Sequence, residues 1–204
     1  MENPYKRGLS PSSPASLAVA GAALALLVAA CGASDADAPG AAPDPLSEGP
    51  RPLARAEHWR AASLDEDPAA GGVAPGAPCG ERDWRVEGEA VEVSTGACGY
   101  VALAQPTLHD VAAGDAIVVR AWWSVLDAPA PATGRLALFL GGEPLWQELV
   151  PIPGRPDARE ARVTSPIDAK AGTPLVFHLS NHGSNAWTLA EVSLAASASN
   201  ASKP

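Results

Sequence analysis

The run Ala116-Ile117-Val118-Val119-Arg120-Ala121-Trp122-Trp123-Ser124-Val125 constrains the fold of this chain most strongly. β-Branched and aromatic residues dominate it, and the turn Ala113-Gly114-Asp115 launches it. Side chains alternate along a strand, so Ile117, Val119, Ala121, Trp123 and Val125 share one face. That face is the better core candidate. Val118, Arg120, Trp122 and Ser124 share the other.

Similar runs recur between turns rich in Gly, Pro and Asp. Trp84 to Val93 alternates loosely, and Cys98 to Leu103 is short and apolar. Leu136, Leu138 and Leu140 alternate up to Gly141-Gly142. Leu145, Gln147 and Leu149 then oppose Trp146, Glu148 and Val150. Arg159 to Thr164 is a weaker strand, and Leu175, Phe177 and Leu179 oppose Val176, His178 and Ser180. Trp187 to Leu194 closes the set. Its apolar parity shifts near Ala190-Glu191, and a bulge there restores the inward face. About eight short strands with no long helical period predict an all-β domain over residues 79–196. The expected fold is an antiparallel β-sandwich or jelly roll. A span of this length suffices for a two-sheet core.

The start of the chain reads differently. Lys6 and Arg7 precede an apolar run from Leu17 to Ala30, 14 residues long. A membrane-spanning helix needs roughly 20. A charged region, a short apolar core and small residues before a cut site make a secretory signal over residues 1–30. Val28-Ala29-Ala30-Cys31 resembles the lipobox of bacterial lipoproteins. The resemblance implies cleavage before Cys31, acylation of Cys31 (palmitate among the attached chains) and a membrane-tethered product. A plain cleaved signal ending at Ala29-Ala30 is the alternative. Gly32 and Ala33 follow, with no Asp at the second position, which in the enterobacterial sorting rule implies the outer membrane. The expected location is the bacterial cell envelope, at the outer membrane or cell surface.

Residues 31–78 are rich in Ala, Pro, Gly and Asp, as in Ala38-Pro39-Gly40-Ala41-Ala42-Pro43. Such a segment lacks the apolar side chains to offset its ordering entropy. It is expected to be a disordered stalk between the lipidated Cys31 and the domain. Leu53, Ala56, Trp59 and Leu64 fit one face of a short helix within it, but a partly ordered linker segment is the preferred reading, and docking of Trp59 on the domain is a further alternative. Residues 197–204 read as a disordered tail. Cys79 and Cys98 remain once Cys31 carries lipid, and an oxidising compartment favours their pairing. The bridge contributes about 3 kcal/mol in the chain-entropy treatment. The net charge of −9 makes nucleic acid an unsuitable partner.

From Val111 on, the order of features resembles the galactose-binding-like jelly rolls, which include many carbohydrate-binding modules. Four stretches carry the resemblance: Val111 to Trp123, Leu136 to Trp146, Ala171 to Leu179 and Trp187 to Leu194. Those families often hold an acidic pair where Ala190-Glu191 stands here, which argues against a calcium site.

The segment His178 to Trp187 gathers two histidines, two asparagines and a tryptophan. A sugar site needs planar donors and acceptors for hydroxyls, and an aromatic face for the apolar side of a pyranose ring. Asn181, His182, Asn185 and Trp187 supply both. Trp122 and Trp146 are further ligand-binding candidates, because an exposed Trp is a platform for a ring. Arg120 shares the Trp122 face. Ordinary turn chemistry is the competing account of the asparagines, with Trp187 in the core. His109, His178 and His182 lack metal-ligand spacing, so no metal or cofactor is expected. No Gly-x-Ser-x-Gly, His-Glu-x-x-His, Walker or Cys-x-x-Cys pattern occurs, and no enzyme is expected. The expected function is a ligand-binding module, with a glycan as the first choice of ligand. The alternative is a structural or protein-interaction lipoprotein that docks on an envelope protein.

Overall fold

The computed structural model describes residues 49–72 and 76–196. The expected signal segment 1–30, the lipidation candidate Cys31 and the expected tail 197–204 lie outside the described residues.

Among the described residues, eleven strands make two antiparallel sheets. The first sheet runs in the order β3 (Trp84–Glu87), β4 (Ala90–Ser94), β11 (Ala186–Leu194), β6 (Ala116–Trp123) and β9 (Asp157–Thr164). The short β1 (Arg51–Pro52) pairs with the far end of β11, at Ser193 and Leu194. The second sheet runs in the order β2 (Arg60–Ala61), β5 (Tyr100–Pro106), β10 (Pro174–Ser180), β7 (Ala132–Leu140) and β8 (Glu143–Ile152). The fold is thus the expected all-β sandwich.

The period-2 pattern decides what lies between the sheets. Ile117, Val119, Ala121 and Trp123 of β6 are buried against Leu136, Leu138 and Leu140 of β7 and Leu175, Phe177 and Leu179 of β10, within one core cluster. Val125 departs from its predicted face and is exposed, because β6 ends at Trp123. In β11 the pairing with β6 shifts register between Leu189 and Glu191. Ala190 is the extra residue of a bulge, which lets Leu189 and Val192 both point inward. In β8 the buried set is Leu145, Trp146, Val150 and Ile152, and Leu149 faces solvent.

The second half of the expected stalk belongs to the sandwich. Leu53, Ala56 and Trp59 are buried in the main core, and Trp59 meets Phe177 edge-on with ring centroids 6.5 Å apart. A single 3-10 turn, Ala56–His58, stands in place of the short helix, and Leu64 stays exposed. Residues 62–69 then cross the outer face of the second sheet, where Ala62 and Ala69 pack on Ala104, Ala137, Phe139 and Val176. Leu53, Ala56 and Trp59 dock this Pro/Ala-rich segment on a complementary surface, together with the β1 and β2 pairings. Each large side chain contributes about 1.5–3 kcal/mol of burial.

The predicted disulfide is present: Cys79 is bonded to Cys98, 19 residues on. It fixes the segment before β3 to the start of β5, and the Cys79 N–H donates to the Tyr100 carbonyl at 2.7 Å.

Candidate functional site

The six predicted ligand-binding residues divide into two groups. Trp187 has no exposed surface, and Asn181 and Asn185 are buried beside it at one end of the sandwich. Trp187 Nε1 donates to Asn181 Oδ1 at 3.2 Å. Asn181 Nδ2 donates to Thr95 Oγ1 at 2.6 Å and to the Gly183 carbonyl at 2.8 Å. Asn185 Nδ2 donates to Asn181 Oδ1 at 2.9 Å, and Asn185 Oδ1 accepts from the Asp127 N–H at 2.6 Å. Buried amides need partners, and these have them within the protein. The asparagines therefore close the turn onto β4 and the loop after β6, and they present no free group to a ligand. Gly183 completes the closure. Its φ is +84°, and a Cβ there would lie 2.0 Å from the Asp127 carbonyl oxygen.

Trp146 is also removed from the surface, at 9% exposed, among the core residues of β8. His182 is half-buried at the rim of a shallow depression floored by Thr95, Gly96 and Gly99. Turn chemistry and core packing thus account for Asn181, Asn185, Trp146 and Trp187. The sequence did not distinguish them from a ligand face, because the segments that cover them are distant in the chain.

Trp122 behaves differently. It is 45% exposed on the outer face of the first sheet. Across the strands its row reads Arg85, Glu92, Thr188, Trp122 and Ala158. The side chains next to it are small: Ala90, Thr188 and Ala190 form a floor. Glu87, Glu89 and Glu92 make the opposite wall of a trough of about 330 Å³. The β3–β4 hairpin, turning at Gly88, carries that wall. The sequence reading took Trp84 to Val93 as one loose strand and so missed it. The signal was Glu87-Gly88-Glu89, a turn triplet inside an alternating run.

The charges around the trough are mostly paired. Arg85 donates to Glu87 at 2.7 Å and reaches Glu92 at 2.7 Å. Arg120, one row further, is held between Glu160, at 2.8 Å, and Glu191. The hydrogen bond to Glu160 and the charge of Glu191 raise its already high pKa further. Arg120 is on the Trp122 face as expected, but its donors are engaged by these carboxylates. Glu89 has no ionic partner among the described residues.

A three-residue group, Cys79, Asp83 and Cys98, lies close enough to hold a metal. Its two sulfurs are bonded to each other, which leaves no thiolate.

No protein-family model matches the chain, and no curated protein matches it. Solved structures do. A CBM4 module shares 10% identity with a TM-score of 0.42, covering 69% of this chain and 88% of that one. The mannan-recognising module TmCBM27 shares 10% identity with a TM-score of 0.43, covering 73% and 96%. The second N-terminal cellulose-binding domain of the Cellulomonas fimi β-1,4-glucanase C shares 20% identity with a TM-score of 0.38, covering 74% and 98%.

Proposed function

We propose that this protein is an exported, lipid-anchored module that binds a glycan on the outer face of its first sheet. The exposed Trp122 beside a floor of small residues carries the reading. An indole face left open next to Ala90, Thr188 and Ala190 offers a flat apolar surface and the space for a ring to lie on it. Carboxylates at the opposite wall accept hydrogen bonds from hydroxyls. The remaining tryptophans contribute to stability and not to this site. Binding, with no bond made or broken, is the activity proposed. Anchoring through Cys31 rests on the signal segment and its lipobox-like end, and Cys31→Ser is expected to release the protein from the membrane fraction.

The test is a glycan array probed with the full chain and with Trp122→Ala. Saturable binding that the variant loses, with an unchanged thermal midpoint, supports the reading. No binding, or binding indifferent to Trp122, overturns it in favour of a protein-docking lipoprotein.

A further inference from the structure

The trough beside Trp122 does not end at the β11 bulge. A second depression, of about 450 Å³, adjoins it and shares Glu89 and Ala190 as lining residues. It opens where β11 has no neighbour on one side. β4 pairs with β11 only from Ala186 to Leu189, and β1 pairs only with Ser193 and Leu194. The bulge residue Ala190 lies in that gap, and residues 50–57 form its far wall. From Thr188 to Ser193 the strand rise gives a length of about 17 Å, room for several rings of a linear chain. The bulge and the interrupted pairing thus turn one aromatic platform into a groove.

The groove has a definite charge. Glu57, Glu87, Glu89, Glu92 and Glu191 line it. Against these five carboxylates stand the guanidinium of Arg55, which lines it, and those of Arg85 and Arg120, which reach its carboxylates from outside; Glu160 and the exposed Arg162 lie beyond Arg120 on β9. Each guanidinium is already engaged: Arg55 with Glu57 at 3.7 Å, Arg85 with Glu87 and Glu92, Arg120 with Glu160 and Glu191. The one carboxylate with no partner, Glu89, stands on the ridge between the two depressions. An anionic polymer meets net repulsion here. A neutral one offers Glu89 hydroxyl donors but no opposite charge. A protonated amine meets a free carboxylate and, at Trp122, an aromatic face that attracts cations.

We infer that the groove selects a linear glycan of amino sugars, with Glu89 taking a protonated amine and Trp122 stacking on a ring. This rests on the proposed glycan-binding role of the Trp122 face and specifies its ligand class. The experiment titrates the full chain with glucosamine oligomers at mildly acid pH, where their amines are protonated, and with the matching N-acetylated, neutral oligomers. Glu89→Gln and Trp122→Ala are titrated beside it. The expected result is at least tenfold tighter binding of the free-amine series, weakened by added salt. Glu89→Gln is expected to lose about two- to fivefold of that preference, the range of an exposed ion pair, and to weaken neutral binding by less. Trp122→Ala is expected to lose both. Equal, Trp122-dependent affinity for the two series overturns the amino-sugar inference and leaves the glycan-binding role standing. Absence of Trp122-dependent binding to either series overturns the amino-sugar inference, and a glycan array that shows Trp122-dependent binding elsewhere leaves the glycan-binding role standing.

Discussion

Asp67 and His178 form a buried pair across 111 residues of chain, with Asp67 Oδ2 2.8 Å from His178 Nδ1. Burial alone raises the Asp67 carboxyl. The hydrogen bonds from His178 and from the Ala69 N–H, with the charges of His178 and Arg135, outweigh it and hold the group below the usual carboxylate range. An ionised Asp67 has no proton to give, so His178 Nδ1 donates. The imidazole lies 6.5 Å from the Tyr100 ring and nearly parallel to it. The pair sits on the outer side of β10, under the segment that crosses the second sheet, where Ala102 and Ala137 flank His178 and leave room for it. It acts as the latch of that segment.

Removing the latch is expected to cost stability. Asp67→Ala leaves a buried imidazole donor with no acceptor, a loss of about 1–3 kcal/mol. Urea unfolding measures it. Hydrogen exchange should show faster exchange at the Ala62 and Ala70 amides, whose bonds hold this segment. Asp67→Asn keeps the shape and an acceptor oxygen, so its loss should be smaller. Equal stability of Asp67→Ala and wild type would show that the segment holds without the pair.

Acid should weaken the same contact. Asp67 has a folded pKa below its unfolded value of about 3.9. Its stabilisation is therefore complete above the unfolded value and is lost as pH falls through the folded value. The Arg60 hydrogen bonds, then the Ser63 amide and hydroxyl, hold the exposed Glu66 down to about 2, with the same sign. The thermal midpoint should fall below about pH 4, and the fall should be shallower in Asp67→Asn. Parallel pH profiles for the two proteins would contradict this.

Reduction of Cys79–Cys98 is expected to destabilise the sandwich by about 3 kcal/mol, through the freedom returned to the unfolded loop. Denaturant midpoints of wild type with and without reductant, and of the double Ser variant, measure it. The variant should match the reduced protein. A midpoint unmoved by reductant would mean that the loop is ordered by other contacts in both states.

Gly134 is the close-approach position of the core. A Cβ there would lie 2.7 Å from Trp187 Cη2, and the indole has no room to retreat. Gly134→Ala is expected to cost about 1–3 kcal/mol by overpacking. The Trp187 Nε1 bond to Asn181 should lengthen as the ring moves, visible as a changed indole N–H resonance. An unchanged thermal midpoint would show that β7 shifts to make room.

The sequence by itself determined the two-sheet sandwich and much of its detail. Alternation in Ile117, Val119, Ala121 and Trp123, and in Leu175, Phe177 and Leu179, marked the buried faces because a strand's period is a local property. The parity break at Ala190 marked the bulge for the same reason. Two cysteines left once Cys31 is read as a lipidation site marked the bridge.

Tertiary structure decided which second faces are covered. Trp122 and Trp187 lie on paired strands of one sheet, Trp187 opposite Trp123 and Trp122 opposite Thr188, and only Trp122 is open to solvent. Trp187 points into the core, with Gly134 of β7 against its ring. Asn185 is sealed by Asp127, 58 residues away, and His178 by Asp67, from a segment whose composition reads as a linker. No local pattern carries that information, because burial of an outer face depends on which distant segment finds it. The groove follows from the same cause: β11 keeps a neighbour at each end and lacks one at its bulge, a property of strand pairing that no stretch of sequence contains.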